Sequence, residues 1–264
     1  MKLIYSCILF MIIGLPKTSL AETDAQALAR QIANPLAKLI QIPLEFSFDN
    51  GIGVDKQGER ILLNIKPVMP FSFNDNWNVI SRTILPVVSF NSLAPNNGSE
   101  FGLGDTVQSF FFSPKIVGDS GWIWGAGPVF ILPTSTNDYT GLGELGAGFT
   151  AVALKQQGKS WTYGALVNYI LDVNSDRPIE TSLLQPFISY RTSSAITFSL
   201  NSEATFNGIS DEWTVPIKLS INKVIRFGKL PVSVGAGIRY WLDSPTENAE
   251  GWGVVASLNI LLPK

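Results

Sequence analysis

The sequence predicts an all-β protein: an antiparallel, up-and-down transmembrane β-barrel of about twelve strands, with a short N-terminal helical segment. Three observations carry the prediction. The first is alternation. In EWTVPIKLSIN from Glu212, the residues Trp213, Val215, Ile217, Leu219 and Ile221 share one parity, and Thr214, Lys218, Ser220 and Asn222 share the other. PVSVGAGIRYWL from Pro231 and AITFSLNSEATF from Ala195 repeat the pattern. A side-chain period of two describes strands with one apolar and one polar face. The second is the rhythm of the connections, in which short turns and longer polar loops largely take turns. The third is the placement of all seven tryptophans within a few residues of a strand end. Lipid outside, water inside and aromatic girdles at both rims account for all three.

Residues 1–21 read as a secretion signal. Lys2 supplies the positive start, Leu3 to Leu15 an apolar run, and Ser19-Leu20-Ala21 a small-x-small cleavage site. That run is short for a spanning anchor, and no charged stop-transfer cluster follows it. The only cysteine, Cys7, lies within it, so the remainder is expected to hold no disulfide or thiolate metal site. Losing Lys2 and Lys17 leaves 17 basic residues against 21 acidic ones. That balance gives no reason to expect nucleic-acid binding.

Residues 22–40 form the next unit. Leu28, Ile32, Leu36 and Leu39 or Ile40 have helical spacing. Pro35 should kink or split the helix. This segment is a candidate plug or handle for the barrel of residues 41–264. Twelve strands are expected there: Ile42–Gly51, Glu59–Phe73, Trp77–Phe90, Leu103–Pro114, Gly121–Pro133, Glu144–Gln156, Trp161–Val173, Thr181–Arg191, Ala195–Asn207, Glu212–Phe227, Leu230–Leu242 and Gly251–Leu262. Short turns follow the even-numbered strands, and mostly longer loops follow the odd ones. Trp77, Trp122, Trp124 and Trp161 are expected at the short-turn rim, and Trp213, Trp241 and Trp252 at the other. Pro86, Pro128, Pro186 and Pro216 fall inside strands of a closed sheet, where bulges are expected to absorb them.

The chain has no histidine, which removes Ser-His and Asp-His hydrolysis and histidine zinc sites. No enzyme, metal or cofactor is expected. Gly118-Asp119-Ser120-Gly121 is then a turn rather than part of a protease signature. Gly141 to Gly146 matches GxGxxG, but the dinucleotide reading needs a following helix. Gly-x-Gly also recurs along the strands, at Gly125/Gly127, Gly235/Gly237 and Gly251/Gly253 among others. Such pairs thin one wall or relax its curvature.

Parity places Lys66, Arg82, Arg191, Lys218 and Arg239 on polar strand faces, opposed by Glu45, Asp49 and Glu203. A Lys or Arg facing the bilayer midplane costs ~2–4 kcal/mol, so these should point inward. There they either brace the wall as ion pairs or form a mildly cationic constriction favouring anionic or aromatic-acid solutes.

Much of the chain resembles a family of bacterial outer-membrane proteins named for the meta-cleavage pathway of phenol degradation, whose members are often labelled transporters. The matching stretches include SRTILPVV at Ser81–Val88, GLGDTVQSFFFSP at Gly102–Pro114, WIWGAGPVFILPT at Trp122–Thr134, WTYGALVNY at Trp161–Tyr169, LQPFISY at Leu184–Tyr190 and WTVPIKLSI at Trp213–Ile221. The resemblance implies an outer-membrane barrel and says little about a substrate. The expected partners are the lipid bilayer and a small solute that crosses by passive diffusion. The alternatives are a closed structural or adhesive barrel acting through its loops, and a secreted soluble β-sandwich.

Overall fold

A computed structural model describes residues 22–53, 55–91, 98–173 and 176–262. The expected secretion signal and the terminal Pro263-Lys264 lie outside those residues. Among the described residues there is one helix, α1 (Glu22–Ile32), followed by fifteen strand segments in a single sheet. Three strands are each interrupted once, so the segments make twelve: β1 (Ile40–Ile52), β2 (Gly58–Ile65 continued by Val68–Ser72), β3 (Trp77–Asn91), β4 (Glu100–Leu103 continued by Thr106–Pro114), β5 (Trp122–Leu132), β6 (Gly146–Gln157), β7 (Trp161–Asp172), β8 (Glu180–Arg191), β9 (Ile196–Ser202 continued by Ala204–Asn207), β10 (Glu212–Phe227), β11 (Leu230–Asp243) and β12 (Gly251–Leu262). Every strand pairs antiparallel with its neighbours in sequence. β12 returns to β1 in unbroken register from Ile40↔Leu262 to Phe48↔Val254. The sheet is therefore a closed twelve-stranded barrel.

Closure gives the alternation its meaning. On β10, Ile217, Leu219 and Ile221 are 37%, 48% and 51% exposed, while Pro216 and Val224 of the other parity are buried. A row of half-exposed aliphatics in mid-strand is the outer surface that lipid requires and water penalises. Six of the seven tryptophans face outward and meet other rings at the two rims. Trp77 lies edge-on to Trp124 at 5.9 Å, and Trp161 tilts against Tyr190 at 4.9 Å, both at the short-turn rim. Phe206–Trp213 at 5.1 Å and Tyr240–Trp252 at 4.9 Å do the same at the long-loop rim.

The prolines are accommodated in two ways. At Pro216 the register against β11 shifts, so a bulge does absorb it. At Pro128 and Pro186 there is no shift. Ser109↔Val129 and Phe112↔Ala126 hold one register around Pro128, and Leu184↔Ala204 and Phe187↔Asn201 hold one register around Pro186. The rungs between are left unmade because proline has no N–H to give. Pro67 and Gly104-Asp105 mark the breaks in β2 and β4. Isolated bonds stitch those breaks: Lys66 N–H donates to Pro43 O at 2.8 Å, Thr83 N–H to Pro67 O at 3.0 Å, and Gly104 N–H to Pro86 O at 2.9 Å.

The helix stops at Ile32, short of the expected residue 40. Proline disfavours helical backbone at the residue before it, here Asn34. The Asn34 side chain instead caps a turn by accepting from Leu36 N–H at 2.9 Å. α1 and residues 33–39 lie inside the short-turn end of the barrel. Ala25, Ala29, Ala37 and Leu39 pack on Ala195, Val224 and Leu261. Leu36 reaches across to Val68, Ile80, Phe111, Val152, Leu154 and Leu166. Gly125 makes room for it: a Cβ there would lie 3.2 Å from a Leu36 methyl. Gln26 donates to Ser193 O, and Arg30 and Gln156 exchange two bonds of 3.1 and 2.8 Å.

Leu219→Arg should destabilise the barrel by ~2–4 kcal/mol, the midplane cost on the lipid face. Ser220→Arg, one residue on and facing the lumen, should cost less. Urea titration of folding into lipid vesicles, read by heat-modifiable gel migration, tests the difference. Equal losses would refute the assigned facing of β10.

Candidate functional site

Polar parity converges in the lumen on two groups of charges. The first joins four strands. Lys66 Nζ, on the inner face at the break in β2, donates to Glu45 Oε1 of β1 at 2.9 Å. Lys218 Nζ of β10 donates to Glu45 Oε2 at 2.7 Å. Both lysines also approach Glu203 Oε1 of β9, at 3.8 and 3.6 Å. Gln185 of β8 donates to the same Glu203 oxygen at 3.3 Å. Two lysines and two glutamates thus form a ring with no net charge. These side chains sit well inside the barrel, so Coulomb attraction is stronger here than at a wet surface.

The second group lies nearer the long loops and centres on Asp49, which is fully buried. Arg60 of β2 reaches Asp49 Oδ2 at 3.0 Å. Arg239 of β11 grips both carboxylate oxygens, with Nε donating to Oδ1 at 3.2 Å and Nη2 to Oδ2. Trp241 Nε1 donates to Oδ1 at 3.1 Å, and the two guanidiniums lie over its ring at 4.7 Å (Arg239) and 5.6 Å (Arg60). Gly253 is required beside this triad, because a Cβ there would collide with Asp49 Oδ1. Two arginines on one aspartate leave one surplus positive charge.

Of the residues expected in the lumen, Glu45, Lys66, Lys218 and Glu203 meet in the ring, and Asp49 and Arg239 in the triad. Arg82 faces the same cavity without joining either group. Arg191 belongs elsewhere: it is buried at the short-turn end of β8, where Nη2 donates to Lys159 O of the β6–β7 turn. That bond ties a turn to the wall and sets no constriction. Trp241 is a second correction. Its expected place in the outer girdle followed from its position near a strand end, whereas it shares the parity of Arg239 and points inward. Arg60 and Gln185 were not singled out from the sequence. Arg60 has the parity of Lys66, which was the available signal.

Between the ring and the plug lies a cavity of about 340 Å³. Glu45, Lys66, Arg82, Glu203 and Lys218 line it together with Val68, Leu166, Phe187 and Asn222, and Ile32 and Pro35 of the plug segment complete its wall. Its polar groups donate and accept hydrogen bonds. Among the described residues no cluster of carboxylates suits a metal ion.

No protein-family model matches the chain, and no curated protein matches it. Among solved structures, it is similar to an outer membrane channel from Pseudomonas putida F1, with a TM-score of 0.64 and 13% identity over 85% of this chain and 96% of that one. Weaker likenesses are to the β domain of the Bordetella autotransporter BrkA (TM-score 0.46, 11% identity, 85% of this chain and 100% of that one) and to the outer membrane phospholipase of Salmonella typhi (TM-score 0.48, 9% identity, 91% and 98%). The first likeness identifies the fold as that of outer-membrane barrels.

Glu45→Gln leaves Lys66 and Lys218 with only the more distant Glu203. Removing one member of a buried ion cluster costs ~3–5 kcal/mol in dry interiors, and lumen water sets that as the upper end here. The expected result is a lower urea midpoint for Glu45→Gln than for Glu45→Gln/Lys66→Met, which removes a cation along with the anion. A double variant less stable than the single one would overturn the ring as a bracing element.

Proposed function

We propose that this protein resides in the bacterial outer membrane as a narrow channel for small solutes, with a preference for anions. The observation that carries the reading is the lumen: a closed barrel whose inner wall is polar along β9 to β12 and whose two charge groups and Arg82, among the described residues, bring five cations against three carboxylates. Arg60, Arg239, Lys66, Lys218 and Arg82 face Asp49, Glu45 and Glu203. A surplus of positive charge in a tight aqueous passage favours anions over cations. Transport is passive on this reading, because the GxGxxG stretch of Gly141 to Gly146 runs into strand β6 and not into the helix a nucleotide site needs. The short-turn rim faces the periplasm and the long loops face outward, as in bacterial barrels generally. The resemblance to the family named for phenol meta-cleavage supports the transport half of the proposal, and membership of that family is part of it. With no histidine in the chain, a hydrolase of Ser-His type is left out.

One observation favours the alternative of a closed structural barrel. The apolar packing of Leu36 with Phe111, Ile80 and Leu154 seats the plug segment inside the short-turn end of the lumen. The two readings part on conductance. The full chain in a planar bilayer should show discrete steps with reversal potentials of the anion-selective sign in a salt gradient. A variant lacking residues 22–39 should show larger steps. Silence from a folded full-length barrel, together with silence from the deletion variant, would establish the closed reading instead. Unchanged step size in the deletion variant would refute the plug.

A further inference from the structure

A fifth charge lies beside the neutral ring and, among the described residues, makes no hydrogen bond or close ion pair with it. Arg82 sits on the inner face of β3, cross-strand from Val68 of β2 and Ser109 of β4. Its Nη1 is sealed from solvent and bonds to no protein atom among the described residues. The carboxylates lining the same cavity, Glu45 and Glu203, are each held by both Lys66 and Lys218. A buried donor with no acceptor is an exception that calls for a reason. With Nη1 packed in the wall, the edge of Arg82 that lines the cavity is that of Nε and Nη2, a fork that grips a carboxylate with two parallel N–H bonds.

The cavity that Arg82 faces has the size of a small-molecule site, for which ~300–1,000 Å³ is usual. Its remaining walls are mixed. Val68, Leu166 and Phe187 form an apolar side, and Ile32 and Pro35 of the plug segment border it. The ring itself carries no net charge, so the local surplus amounts to one positive charge. A monoanion cancels it. A dianion would bring a further negative charge toward Glu45 and Glu203 without a cation to meet it.

We infer that the lumen contains a binding site for a small monocarboxylate with an apolar body, its carboxylate on Arg82 and its body against Val68, Leu166 and Phe187. The inference rests on the channel reading for the ligand's access and adds to it the class of molecule. The Asp49 triad, with its own surplus positive charge, lies between the long loops and Arg82 and draws the same class of ligand inward. The plug segment borders the site, so a bound ligand is in contact with the element that closes the short-turn end.

The test uses the full chain, purified from membranes and reconstituted in lipid nanodiscs, with isothermal titration of three probes. Hexanoate has both head and body, acetate the head alone, and hexanol the body alone. Hexanoate should bind saturably, with acetate and hexanol at least tenfold weaker. Arg82→Gln should weaken hexanoate at least tenfold and leave hexanol unchanged. Wild-type affinity for hexanoate in Arg82→Gln would overturn the site, as would hexanol binding as tightly as hexanoate, or no saturable binding at all. Should Arg82→Gln fail to fold, Ser109→Asp supplies an internal carboxylate next to Arg82. It should abolish hexanoate binding while keeping heat-modifiable migration, and undiminished binding there would refute the inference. The titration needs no current. A silent barrel that still binds hexanoate sinks the channel reading alone, and a conducting barrel that ignores hexanoate sinks this site alone.

Discussion

Everything in this barrel follows from one constraint: β12 must return to β1. Lipid offers no partner to a backbone N–H or C=O, so a sheet that crosses it has to close on itself. The β1–β12 seam runs from Ile40↔Leu262 to Phe48↔Val254 without a slip. Once it is fixed, each residue's parity decides whether it meets lipid or lumen. A one-residue slip would turn Glu45 and Asp49 toward the bilayer and Phe46 and Phe48 into the lumen. The ion ring is a check on the same register. Glu45 of β1 is reached from one side by Lys66 on β2 and from the other by Lys218 on β10, which requires all three strands to turn these residues to the lumen.

Within that closed wall, proline is the price of shape. Each interior proline removes one ladder donor, and in a planar sheet the loss would be gratuitous. Here the interruptions fall at different places around the wall, a strand break at Pro67, bare gaps at Pro128 and Pro186 and a bulge at Pro216. Breaks in the ladder are where a strand can bend and twist more strongly. The break at Lys66-Pro67 also bears on the ion ring. It lies on the strand segment that carries Lys66 to the ring, and Lys66 N–H there finds Pro43 O instead of a regular partner.

The strands, their number and their facing were legible because a two-residue period in a membrane wall is enforced at every position by the cost of error. The expected twelve segments agree with the observed ones to within a few residues at most ends. What escaped was of two kinds. Trp241 was assigned by its distance from a strand end, although parity, the stronger signal, puts it with Arg239 beneath the two guanidiniums. Parity also contained Arg60. The second kind was not in the sequence in any local form. That Asp49 would meet Arg239, 190 positions away, depends on which strands close the barrel and with what stagger. That Arg191 would bond a turn carbonyl rather than enter the lumen depends on how far β8 overhangs the rim. The proline expectation failed at Pro128 and Pro186 because a bulge and a bare gap look the same in a sequence. Only the register on either side separates them.

The plug differs in kind from the wall. Barrel strands are tied to both neighbours along their length, so no one of them can leave alone. Residues 22–39 are held by a few exposed or half-exposed side-chain bonds and by two apolar contacts, the first of which joins Ala25, Ala29, Ala37 and Leu39, with Leu28 and Ile32 against them, to Ala195, Val224 and Leu261. The second is Leu36, seated in a separate apolar cluster with Phe111 and beside Gly125. Its attachment is divided between two buried leucines, Leu39 and Leu36, seated in different parts of the wall. Such a segment can detach from the wall without any strand separating, because its loss exposes lumen surface and leaves the closed ladder untouched. The barrel's integrity and the lumen's occlusion are therefore independent quantities in this fold, the first set by β1 through β12 and the second by how firmly Leu36 and Leu39 are held.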